Sequence, residues 1–164
     1  RRRTDVVDRD ELHGPSLPHP RVVEMSEFSM PVVPRYAEVD QQGVVFNGHY
    51  LTWFDEACTG LLDHCGVAYP DLMAGGYDFQ VVHSEIDFAA PVRWRDTVRV
   101  SAACTRVGTT SFTLAFAVRR GVADGSEQIA VRGENTYVVV STEDWAKRPV
   151  PDFLRRALTR TGAP

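Results

Sequence analysis

No apolar run in the chain approaches the roughly 20 residues that span a bilayer, so a membrane-spanning helix is not expected. Positive charge is not in surplus either. The 18 arginines and lysines are outnumbered by 22 acidic residues, and a net charge of −4 argues against a general nucleic-acid binder. Arg1, Arg2 and Arg3 are followed by no apolar segment, so a secretory signal is not expected. Cysteine is scarce. Cys58, Cys65 and Cys104 are an odd number with no CxxC pair, which points to free thiols in the reducing cytoplasm. A phosphate-binding glycine loop and a G-x-S-x-G nucleophile elbow are both missing. His13, His19, His49, His64 and His83 lack metal-ligand spacing, and no metal site is expected.

What is present reads as one domain. At 164 residues with 43% hydrophobic side chains, the chain can bury one proper core. Residues 1–29 hold Pro15, Pro18 and Pro20 and no apolar period, which predicts a flexible extension ahead of a domain over 30–164. Pro31 to Val39 is the first strand candidate, followed by a turn at Asp40-Gln41-Gln42-Gly43. Leu51, Phe54, Cys58, Leu61, Leu62 and Cys65 then recur at steps of three and four, predicting a helix over about 47–65. Asn47 is its candidate N-cap and Gly66 its stop.

Four further strands are predicted at 77–90, 97–104, 111–119 and 128–141, the last rich in valine. Hairpin turns fall at Val107-Gly108-Thr109-Thr110 and Ala123-Asp124-Gly125-Ser126, and an amphipathic tail follows around Phe153, Leu154 and Leu158. Strand, long helix and four strands joined by short turns describe an α+β layout, one helix against a largely antiparallel sheet.

Asp40 is the residue with the clearest chemical setting. It follows a strand and precedes a helix N-terminus by seven residues, where backbone N–H groups lack intrahelical acceptors. The N–H groups of Asn47 and Gly48 are placed to hold an oxyanion while Asp40 supplies the nucleophile or general base. The competing reading makes Asp40 a turn residue ahead of Gly43.

The stretch Arg35-Tyr36-Ala37-Glu38-Val39-Asp40-Gln41-Gln42-Gly43-Val44-Val45-Phe46-Asn47-Gly48-His49-Tyr50-Leu51-Thr52-Trp53-Phe54-Asp55-Glu56-Ala57 resembles the signature of the 4-hydroxybenzoyl-CoA thioesterase family. The likeness continues at Pro91 to Val100 and covers roughly residues 31–151. It implies a hotdog fold, an antiparallel sheet wrapped around one long central helix. It also implies hydrolysis of an acyl-CoA thioester, or of an acyl-carrier-protein thioester, with Asp40 catalytic. His49 would be a neighbour able to orient water, and Phe46, Tyr50, Trp53 and Phe54 would line the acyl pocket. Glu56 stands where a second branch of hotdog enzymes carries its base, though a solvated role suits it better. Arg132 and Ser111 match positions that contact coenzyme A, and Thr109 and Thr110 share that turn. Relatives with arginine and lysine in the turn bind phosphate there, so Arg93, Arg95, Arg106 and Arg148 are alternative donors. The resemblance further implies a homodimer or a dimer of dimers with the site at its seam, and no cofactor beyond the coenzyme A of the substrate. The alternative function is a hotdog module that binds acyl-CoA or acyl-carrier protein without turnover.

Overall fold

A computed structural model describes residues 28–123 and 125–160. Five strands form a single sheet: β1 (Ser29–Val32), β2 (Tyr77–Phe88), β3 (Val98–Val107), β4 (Ser111–Gly121) and β5 (Glu127–Ser141). Their order is β1-β3-β4-β5-β2 and every pairing is antiparallel. Since β1 and β2 lie on opposite edges, the chain between them must cross the sheet. That crossing carries α1 (His49–His64) and the short α2 (Tyr69–Ala74), and α3 (Asp152–Thr159) closes the chain.

The apolar stripe of α1 is the reason it lies on the sheet. Tyr50, Trp53, Phe54, Ala57, Cys58, Leu61 and Leu62 are all buried in the main core. Phe54 stacks on Phe116 of β4 with ring centroids 4.6 Å apart. Its ring also fills the space over Gly133 of β5, where any side chain would collide with it. Glycine is required there by close approach. Alternation then assigns the two faces of β5: Val131, Asn135, Tyr137 and Val139 are buried with α1, while Arg132 lies on the opposite face.

Several local expectations change. The first strand ends at Val32, and Tyr36–Glu38 form a 3-10 turn instead of continuing it. Pro34 has no N–H for a ladder, and reciprocal bonds from Arg35 N–H to Glu38 Oε2 and from Glu38 N–H to Arg35 O curl the segment. The helix spans His49–His64 with Gly48 at its N-cap, so Asn47 does not cap it. A turn closed by His49 N–H to Phe46 O (3.0 Å) occupies 46–49 and delays the start. The far end stops as expected: Gly66 N–H reaches Asp63 O and Val67 N–H reaches Leu62 O, satisfying the last carbonyls. β3 runs three residues beyond the predicted Cys104, because an irregularity between Cys104 and Arg106 shifts the alternation out of phase. α2 was not expected, although Pro70 in its first turn is a helix-start signal. The N-terminal extension falls outside the described residues apart from Phe28 and Ser29.

Among the described residues no helix is long and apolar enough to cross a membrane. None of the three cysteines is in a disulfide; Cys58 and Cys104 are buried, and burial pushes their thiols up to about 12 and about 11.

Candidate active site

Asp40 opens a small hairpin that precedes α1. Val39 bridges Val45, Asp40 N–H donates to Val44 O (2.9 Å) and Phe46 N–H to Glu38 O (2.8 Å). Gly43 N–H closes the turn on Asp40 O (3.0 Å) at φ +74°, a left-handed conformation that glycine adopts without steric cost. Val45 N–H pins the hairpin to Val92 O (2.8 Å), next to the segment leaving β2. One carboxylate oxygen of Asp40 accepts from Gln42 N–H at 2.8 Å, and among the described residues the other has no hydrogen-bond partner. The side chain is oriented by its own turn and half-exposed.

The turn, the start of α1 and the end of β2 enclose an open cleft of about 510 Å3. Its walls include Asp40, Phe46, Asn47, Tyr50, Phe88 and Pro91. Tyr50 meets Phe88 edge to face at 5.6 Å, so one wall is aromatic. Burial pushes the Tyr50 hydroxyl up to about 12, keeping it protonated at neutral pH. Among the described residues the N–H groups of Asn47 and Gly48 donate to no protein acceptor, as the position of a helix start dictates. A carboxylate, the Asn47 donor just ahead of the helix N-terminus and an aromatic wall are thereby brought to one cleft, with the Gly48 donor next in sequence. That combination can receive a carbonyl compound and stabilise negative charge on its oxygen.

Not every sequence candidate reaches it. His49 is half-buried and packs edge-on to Phe46 at 6.2 Å, outside the cleft walls. Trp53 is buried behind the cleft, its indole N–H donating to Glu38 Oε1 at 3.4 Å, and Phe54 is core. Arg132 stands next to Val131, which is opposite Phe88, but on the other face of the sheet. Thr109, Thr110 and Ser111 are farther away. Ser111 pairs with Val138, seven residues along β5 from Val131, which is about 23 Å at strand rise.

Glu38 is the residue that sequence reasoning missed. It is 3% exposed, beneath the Asp40 turn, and binds Arg35 through Nε (3.1 Å), Nη2 (2.7 Å) and backbone N–H (2.7 Å) as well as Trp53. Burial pushes its carboxyl up, but the Arg35 donors and the indole outweigh burial and hold it below the usual range. It ties the hairpin to α1. The available signal was the Arg35-x-x-Glu38 spacing, which matches a local ion pair.

Residues 42–123 match the Thioesterase superfamily. The chain belongs to that superfamily. YneP of Bacillus subtilis (strain 168) is 35% identical over 66 residues, 40% of this chain and 48% of YneP. The acyl-CoA thioester hydrolase YbgC of Escherichia coli O157:H7 is 30% identical over 84 residues, 51% of this chain and 63% of YbgC. The chain thus spans about half to under two thirds of these relatives. Among solved structures, a 4-hydroxybenzoyl CoA thioesterase mutant complexed with 4-hydroxybenzoyl CoA superposes with a TM-score of 0.73. That likeness covers 80% of this chain and 97% of the neighbour at 17% identity, which shows a shared fold. The five-stranded antiparallel sheet with helices is therefore of the thioesterase, hotdog type.

Proposed function

We propose that this superfamily member hydrolyses an acyl-CoA thioester, releasing the free acid and coenzyme A, in the cleft at Asp40. One observation carries the reading: a carboxylate with one unengaged oxygen lines the same cleft as Asn47, whose N–H, like that of the adjoining Gly48, is unpaired at the start of α1. The acyl group lies against Phe46, Tyr50 and Phe88. The thioester carbonyl oxygen turns toward Asn47 and Gly48 N–H, which stabilise the oxyanion formed on attack. Asp40 either attacks the carbonyl carbon or takes a proton from the attacking water, and the C–S bond breaks with the thiolate leaving. In the first case water then hydrolyses the acyl-aspartyl anhydride. Thiolate leaves readily, so a base or nucleophile and an oxyanion hole suffice, with no cofactor beyond the substrate's own coenzyme A. Relatives named for acyl-CoA thioester hydrolysis support the substrate class.

Replacing Asp40 by Asn tests the role. The expected outcome is a folded protein with kcat lowered at least about 100-fold on a screened acyl-CoA, read by free-thiol release. Near-wild-type turnover by that variant removes Asp40 from the mechanism. A second reading, acyl-CoA or acyl-carrier-protein binding without turnover, draws on the Gln42 N–H bond that makes Asp40 an ordinary turn residue. Wild-type protein that binds acyl-CoA and releases no thiol selects it.

The reading extends to assembly and place. β2 is a 12-residue edge strand exposing Val81 and Val82, a surface suited to pairing with a second copy in a homodimer or a dimer of dimers. In such an assembly the sheet curls around α1 as the central helix of each copy. Cysteines outside any disulfide suit the cytoplasm.

A further inference from the structure

The reaction leaves one cluster at the cleft rim without a role. Tyr36 and Trp94, 78% and 46% exposed, meet edge to face with ring centroids 5.7 Å apart. The Arg95 guanidinium lies over the Trp94 ring, 4.3 Å from its centroid, on a backbone at φ +69°. A tight turn fixes this segment: Arg93 N–H donates to Asp96 Oδ2 (2.8 Å) and Asp96 N–H to Arg93 O (3.1 Å). Arg93 Nη1 in turn reaches Gly43 O at 3.4 Å, so the cluster abuts the turn that carries Asp40. Arg95 forms no salt bridge among the described residues. Two large exposed rings beside two solvent-facing guanidiniums suit a ligand that is flat and anionic.

We propose that Tyr36, Trp94, Arg95 and Arg93 hold the nucleotide half of coenzyme A, with the purine stacked on Tyr36 and the phosphates on the two guanidiniums. The inference rests on the acyl-CoA reading above. With the thioester at Asp40, the pantetheine arm leads out of the cleft, and the nucleotide must be held beyond the rim. Arg93 places the cluster at that rim, within the same chain. Trp94 holds Arg95 extended through a cation–π contact, so little side-chain freedom is lost when a phosphate binds. A guanidinium fork matches phosphate oxygens in two-point geometry, and an open tyrosine face accepts a purine by stacking.

The probe is 3′,5′-ADP, the nucleotide without the thioester arm, titrated by calorimetry into the full chain. Tyr36→Ala and Arg95→Ala should each weaken binding about 10-fold, whereas Tyr36→Phe, which keeps the ring, should stay within twofold of wild type. Arg132→Ala is run beside them and should leave affinity unchanged. Equal affinity in all the variants overturns the proposal, as does loss confined to Arg132→Ala. A changed sedimentation coefficient in Tyr36→Ala with unaltered nucleotide affinity also overturns it, because the cluster is then a contact between copies. Thiol release by the wild type is measured separately. Its absence sinks the hydrolase reading while the ring-dependent loss of nucleotide binding still stands for this site.

Discussion

Two tight turns, 40–43 and 108–111, look alike in sequence, each polar, glycine-containing and next to a strand. They lie toward opposite ends of the sheet and end up in opposite states. In the second, the carbonyls are consumed by the chain's own C-terminal part: Arg155 Nη2 donates to Gly108 O (2.7 Å) and Val150 N–H to Thr109 O (2.8 Å). Val139 N–H takes Thr110 O at 2.9 Å, and Gly108 N–H closes on Ser111 O at 2.7 Å. The first turn keeps a carboxylate oxygen free and faces an open cleft. A turn becomes a candidate site when its polar groups stay uncommitted beside a cavity; turn chemistry alone does not confer that.

The sharpest test of this contrast is activity. Asp40→Asn should lower kcat at least about 100-fold, whereas Ser111→Ala should leave kcat within twofold, both read by thiol release. A comparable fall in kcat for both would erase the distinction. Stability should show the reverse pattern. Arg155→Ala removes a charge-assisted bond from the 108–111 turn and should cost about 1.5–3 kcal/mol in urea unfolding with kcat unaltered. A stable but inactive Arg155→Ala protein would place the far turn in the chemistry.

A smaller effect is expected at Gly43. Alanine at φ +74° should cost about 1–2 kcal/mol, measured as a shift in urea midpoint without a change in m. The smallest effect is that of Glu38 beneath the first turn. Its folded carboxyl is held below the ordinary 4.5, so its stabilisation is present above that pH and is lost as pH falls through the folded value. Glu38→Gln should therefore be less stable than wild type at pH 7, and the gap should close as pH drops below 4.5. A gap independent of pH would mean that Glu38 acts by shape and hydrogen bonding rather than by charge.

Much of the fold was legible because it is written in short-range patterns. The stripe from Leu51 to Cys65 marked α1, and alternation from Val98 to Cys104 marked β3 until the irregularity after Cys104 broke the phase. Asp40 and Asn47 were readable as neighbours in one candidate cleft because a turn and a helix start stand seven residues apart on the chain. Trp53 and Phe54 were not separable from Phe46 and Tyr50 as pocket residues, because aromatic side chains on one helix give no local sign of which reach the opening. Glu38 was missed for a related reason: a buried glutamate and a solvated one look the same until Arg35 and Trp53 close over it.

The sequence by itself determined the elements, their α+β order and the pairing of a carboxylate turn with a helix start, since each depends on residues a few positions apart. The tertiary structure decided which turn stays open and which face of β5 carries Arg132. It also decided that Arg93 meets Gly43, 50 residues earlier, at the rim. Such contacts follow from packing α1 across a sheet whose first two strands lie on opposite edges, and burial of that apolar stripe selects them without any local signal at the residues brought together.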